Sequence, residues 1–216
     1  IFLLNKCGEI VHRWEDDPAA RPGAVAYLLE NGNIIRSKWL ADNPSSVSTS
    51  GGAGGIIEIV SWDNEVLWTY NIADSTQIQH HDIHFTPQGT VMIIVWQIKE
   101  LNEIVANGFD TLSNNQRSIL TDYILEIDPV TDSIVWEWHA WDHLIQEHDS
   151  TKANFGVVAE HPERININYQ EYTFGKTDWL HCNSIDYNPT LDQVMISSKH
   201  LNEFWIIDRS TTSAEA

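Results

Sequence analysis

Positive charge is scarce in this chain. Twelve Lys and Arg face 31 Asp and Glu in 216 residues, a formal charge of −19. Such a surface repels phosphate backbones and anionic lipid, so nucleic acid is an unsuitable partner. Cysteine is scarcer still. Cys7 and Cys182 are too few and too far apart for a disulfide framework or a Cys-rich zinc site, and they leave the redox compartment open. No apolar run approaches the roughly 20 residues that span a bilayer; the cluster from Val91 to Trp96 is strand-sized. There is no initiator Met and no charged-then-apolar leader, and the chain closes on a polar Ser-Thr-Thr-Ser-Ala-Glu-Ala tail, so both ends are expected to be cut. The 42% hydrophobic and 20% charged content suits one or two globular domains with a sizeable core.

Tryptophan is abundant, at ten residues, and its placement is periodic. Residues 2–15, FLLNKCGEIVHRWE, resemble 57–70, IEIVSWDNEVLWTY, and 124–138, ILEIDPVTDSIVWEW. Each reads as an apolar strand, a polar turn and a second strand ending in an aromatic. The turns, Asn5 to Glu9, Trp62 to Glu65 and Asp128 to Ser133, carry the Gly, Asn, Asp and Pro of hairpin connections. Trp14, Trp68 and Trp136 follow them. A second hairpin pattern alternates with the first: GAVAYLLENGNIIR at 23–36, HDIHFTPQGTVMIIVW at 81–96 and HCNSIDYNPTLDQVMISS at 181–198.

Two hairpins make a four-stranded unit of the kind that forms a propeller blade. The expectation is an all-β partial β-propeller, with units at about 1–56, 57–123 and 124–203 and a further blade starting at 204–216. Closed rings need roughly four to eight blades, and three would leave pairable edges, which agrees with a larger propeller of which this chain is a part. Insertions fall at Ser45 to Gly55, at Lys99 to Arg117 with a short helix, and at His139 to Thr177, where Asp142 is expected to cap a helical turn from Trp141 to Gln146.

Histidine is densest at His80, His81, Asp82 and His84. Strand alternation puts His80, Asp82 and His84 on one face and His81 on the other, with Ile83 and Phe85. The first three have ligand chemistry, but three ligands on one strand rarely converge on an ion, and no metal is assigned. Aligning the Ile-X-aromatic-X-Pro elements sets Ile83 on Ile185, Phe85 on Tyr187 and Pro87 on Pro189, and His81 on Asn183. His181 shares the parity of Asn183. If these strands are innermost, His81, His181 and Asn183 point into a central channel, with Lys199 beside His181 where the hairpin is tight. Two imidazoles, an amide and an ammonium suit an anionic substrate. Taken singly, each is more readily a hydrogen-bonded structural residue or a solvated charge, and only together do they point to a site; the tryptophans are more readily blade packing than a stacking surface for substrate.

The segments AYLLENGNIIR, GGAGGIIEIVSWDNEVLW, HHDI at 80–83, IDPVTDSIVWEWHAWDHLIQ and above all DWLHCNSIDYNPTLDQVMISSKHLNEFWIID resemble the bacterial arylsulfotransferases, which need no nucleotide donor. The resemblance implies a six-bladed propeller whose channel moves a sulfuryl group from a phenolic sulfate donor to a phenolic acceptor through a sulfohistidine. It implies no cofactor and an exported, periplasmic or extracellular protein. His181 and Asn183 match the family's His-X-Asn pair, and Lys199, eighteen residues after His181, falls where the family has arginine. A guanidinium grips an oxyanion in a fork, whereas an ammonium is a point charge. His81, with His80 in reserve, resembles the channel histidine of an earlier blade. The family nucleophile, in a later blade, has no counterpart here. Two other readings stand beside this one: a non-catalytic propeller that binds peptide, glycan or protein, and a metal hydrolase built on His80, Asp82 and His84.

Overall fold

The computed structural model describes residues 1–17, 21–39, 47, 51–113, 115–169, 178–212 and 215. Strands β1 (Phe2–Leu4) and β2 (Ile10–Arg13) form a two-stranded hairpin. Strands β3 (Arg21–Leu28), β4 (Ile34–Trp39), β5 (Gly55–Val60) and β6 (Val66–Asn71) pair in order as an antiparallel sheet. A second four-stranded sheet holds β7 (Gln77–Phe85), β8 (Val91–Glu100), β9 (Ser118–Asp128) and β10 (Ser133–His139), with the short helix α1 (Leu101–Ala106) between β8 and β9. A parallel pair, β11 (Leu144–Ile145) and β12 (Ile165–Asn166), precedes a three-stranded sheet of β13 (Cys182–Asn188), β14 (Gln193–Ser198) and β15 (Glu203–Asp208). The chain is thus all-β, built of antiparallel meanders with little helix.

The hairpins fall where the turn residues put them. Asn5 Oδ1 accepts the backbone N–H groups of Cys7 and Glu9, while Asn64 and Asp132 take the left-handed conformation that closes the other two turns. Their grouping differs from the expected one. Each sheet joins a hairpin of the second pattern to the following hairpin of the first, so sheets run 21–71 and 77–139 rather than 1–56 and 57–123. Phe204 to Asp208 likewise completes the sheet of β13 and β14 instead of opening a new one. Turn chemistry defines a hairpin but not its sheet partner, which packing decides.

Strand β8 shows how the sheets stack. Val91 to Trp96 are entirely buried. Their alternation sends Val91, Ile93 and Val95 into a core with Ile35, Ile57 and Ile59 of the preceding sheet, and Met92 and Ile94 into a core with Ile185, Val194 and Ile196 of the following one. A continuous apolar run is what a strand covered on both faces requires. Among the insertions, α1 appears where a short helix was expected, with a capping box between Glu100 and Glu103. The Trp141 turn is a single 3-10 turn, Ala140–His143, and Asp142 lies inside it rather than at its cap, because the backbone returns to extended geometry at Leu144 to pair with β12. Part of the Ser45 to Gly55 insertion, and the end of the one reaching Thr177, lie outside the described residues.

Candidate functional site

Strands β3, β7 and β13 begin their respective sheets and lie beside one another. One carboxylate fastens them. Asp82 Oδ1 accepts from the Tyr27 hydroxyl of β3 at 2.7 Å, and Asp82 Oδ2 accepts from the Ile185 N–H of β13 at 3.1 Å. Burial, followed by the hydrogen bond to Asp82, pushes the Tyr27 phenol up to about 12.

At the start of this joint, His81 and His181 both adopt left-handed backbone, with φ of 48° and 51°. A β-carbon residue there is strained by roughly 1–2 kcal/mol, and such strain is often held at working sites. Each lies beside a shift of register, between Gln79 and Ile83 in β7 and between Cys182 and Ser184 in β13. The irregularities turn both rings toward one another, edge to face, with centroids 4.7 Å apart.

His81 is held from behind. Its N–H donates to the Gly52 carbonyl at 2.7 Å. A Cβ on Gly52, whose φ is +103°, would stand 2.2 Å from the imidazole, so the glycine is needed for close approach. Gly55 N–H and the Gln79 side chain complete the seam between the Gly-rich segment and β7. His80 departs from the simple alternation. It is wholly buried, stacked on Trp96 with centroids 3.9 Å apart, and its Nδ1 lies 3.0 Å from His81 Nδ1. His80 Nε2 lies 2.9 Å from Asp122 Oδ1 of β9, within charge-pairing distance but outside hydrogen-bond alignment, and among the described residues Asp122 Oδ2 has no hydrogen-bond partner.

Burial holds the His80 imidazole down at about 3, with the His181 ring adding to the effect. Burial, then His80, His181 and Lys199, lowers His81 to about 4. Burial also raises Asp122 well above the ordinary carboxylate range, and nearby Asp178 raises it further. At neutral pH both imidazoles are therefore uncharged.

His181 is oriented differently. Its Nδ1 hydrogen-bonds Asp178 Oδ2, three residues earlier. His200 Nδ1 donates to the Asp178 carbonyl at 3.0 Å, and its ring stands 5.0 Å from that of His181. The β13–β14 hairpin is tight, Lys199 N–H reaching the His181 carbonyl at 3.3 Å. Asn183 is exposed and its Oδ1 accepts from Ser197 Oγ at 2.7 Å, so its carboxamide is tied to β14 with the amide nitrogen left to donate.

His80, Asp82 and His84 do not converge on an ion. Asp82 faces Tyr27 and β13, His84 pairs with Asp186 at 3.3 Å, and His80 faces Asp122. Among the described residues, Asp178, His181 and His200 bring three donor atoms within 4.8 Å of one another. Their Nδ1 atoms are already engaged by Asp178, and no ion is assigned there. Two clefts elsewhere, about 500 Å³ around Tyr70, Tyr123 and His139 and about 790 Å³ around Trp138, His161 and Phe204, include neither His81 nor His181. Neither cleft contains the residues that the family resemblance singles out, and the histidine pair is the better candidate. Asp122, Asp178, Gly52 and Trp96 escaped the sequence reading. Asp178 alone carried a local signal, its Asp-X-X-His spacing.

The arylsulfotransferase (ASST) family model matches residues 58–214. The chain belongs to the arylsulfotransferase family. The match spans the second four-stranded sheet, the histidine pair and the sheet of β13–β15, and it points to aryl sulfotransferase activity, a transferase with phenolic substrates. No curated protein sequence matches the chain.

Proposed function

We propose that this arylsulfotransferase chain supplies part of a β-propeller whose inner strands, β3, β7 and β13, line a channel where a sulfuryl group passes from a phenolic sulfate to a phenolic acceptor. The sheets at 21–71, 77–139 and 182–208 are its blades. The observation that carries the reading is the meeting of His81 and His181, two left-handed residues on neighbouring strands, beside the cationic Lys199.

Sulfuryl transfer, like phosphoryl transfer, asks a protein to align the groups and neutralise charge on the equatorial oxygens. In this scheme a neutral histidine from a following blade attacks sulfur, the S–O bond of the donor breaks, and a sulfohistidine carries the group to the acceptor. Lys199 and the Asn183 amide draw the sulfo oxygens, and His181, held at Nδ1 by Asp178, donates from Nε2 in its doubly protonated form. His81, neutral at working pH, stands nearest the ester oxygen. The family resemblance further suggests export to the periplasm or beyond the cell.

The test is transfer from a chromogenic phenyl sulfate to a second phenol by the whole protein. Turnover is expected, with a loss of about 100-fold or more in His181→Ala. Unchanged transfer in that variant removes His181 from the mechanism. Binding of the ester without turnover in the wild type favours the non-catalytic propeller.

A further inference from the structure

His80 and Asp122 take no part in the scheme above, yet they are the most deeply buried ionisable pair beside it. Burying a carboxyl and an imidazole with only one shared contact is costly unless both stay neutral. The order of contacts is linear: Asp122 Oδ1 at 2.9 Å from His80 Nε2, then His80 Nδ1 at 3.0 Å from His81 Nδ1. Only the last member, His81, is partly exposed, and its ring edge faces His181. Trp96 and the Gly52 backbone close the chain of groups from water on either side.

We propose that Asp122 and His80 form a buried proton relay that positions His81 and lets it act first as acid and then as base while never carrying a charge. The inference rests on the sulfuryl-transfer reading for its substrate. At rest, the Asp122 hydroxyl faces His80 Nε2, His80 Nδ1–H donates to His81 Nδ1, and His81 Nε2 holds its proton toward the channel. When the S–O bond breaks and the new N–S bond forms, His81 Nε2 gives its proton to the departing phenolate. His80 passes its Nδ1 proton to His81 Nδ1, and Asp122 passes its own to His80 Nε2. Three protons shift by one place, and the charge of the phenolate ends on the Asp122 carboxylate, where the Cys182 N–H at 3.3 Å receives it. The acceptor phenol then donates to the bare His81 Nε2 and the chain runs back. The carboxyl must rotate slightly to align with His80, and among the described residues its second oxygen has no hydrogen-bond partner to prevent this.

A neutral imidazole is too weak an acid to protonate a phenolate by itself. The relay supplies what His81 lacks, because a proton arrives at one nitrogen as another leaves the opposite one. The same device explains why a histidine and an aspartate are kept in a dry interior behind His81, where apolar residues would pack as well.

The experiment uses the whole protein, wild type and the variants Asp122→Asn and His80→Gln. With the sulfate ester of unsubstituted phenol, whose leaving group needs a proton, kcat is expected to fall about 10- to 100-fold at little-changed KM. With a nitrophenyl sulfate, whose leaving group does not, the fall is expected to stay within about threefold. An equal loss with both esters overturns the relay and leaves a packing role. Nitrogen-15 NMR of the histidine rings reads the relay without turnover. The wild type is expected to show His80 protonated at Nδ1 and His81 at Nε2, both neutral, even if the variants fail to fold. His81 protonated at Nδ1, or either ring charged at pH 7, overturns it. Absence of transfer from any aryl sulfate in the wild type would instead defeat the substrate reading, and the NMR result would still decide the relay.

Discussion

The middle of β7 and the entry to β13 solve one problem in two ways. Each bends a histidine out of a strand through a left-handed residue and a register shift. At β7 the support is distant in sequence and dry: Gly52 from the turn before β5, Trp96 from β8 and Asp122 from β9. At β13 it is local and wetter, with Asp178 three residues away, Lys199 and Asn183 exposed, and His200 on the return of the hairpin. The contrast teaches that one imidazole is fixed by the packed interior and the other by its own loop. The first depends on the packing around it, the second on the conformation of its loop.

The comparison breaks hardest at Gly52. In Gly52→Ala the new Cβ meets the His81 ring at 2.2 Å on a backbone with φ of +103°. Transfer is expected to fall by about 100-fold, with a melting temperature lower by roughly 5 °C. Wild-type kinetics in that variant would mean that His81 is not seated against the glycine.

Acid tests the dry side next. Above pH 6.5 the His80 ring is neutral both folded and unfolded, so it contributes nothing to the pH dependence. Below 6.5 the unfolded chain takes the proton while the folded ring, held near 3, does not, so stability falls with falling pH across that window. The expected loss attributable to His80 is ~3 kcal/mol between pH 6.5 and 4. Urea unfolding of wild type and His80→Phe as a function of pH checks it: the variant should show a slope shallower by about that amount, and parallel curves would contradict a neutral buried ring.

The smallest effect belongs to the wet side. Lys199→Arg replaces a point charge by a two-pronged donor at an exposed position, where the backbone has room for either. KM for the aryl sulfate is expected to drop about threefold to tenfold, with the melting temperature unchanged. A rise in KM would place the lysine away from the sulfo group.

Much of the fold was legible in the chain. Asn5, Asn64 and Asp132 mark turns by the chemistry of their own side chains, and Val91 to Trp96 declare a strand covered on both faces. The phase of the sheets was not legible, since two alternating hairpins look equally eligible to pair with either neighbour. At the site, His81, His181 and Lys199 were visible from spacing and resemblance. His80 was misread as sharing a face with Asp82 and His84, because alternation fails at a left-handed residue and nothing in the string HHDI announces one. Asp122 lies 42 residues from its partner His80, and only the pairing of β8 with β7 and β9 carries it across.

Asp82 has a consequence for heating. A single side chain from β7 binds a phenol of one neighbour and a main-chain amide of the other, so thermal melting should not peel the layers off one by one. Calorimetry would register their loss as one transition, and the two imidazoles would part company in the same few degrees.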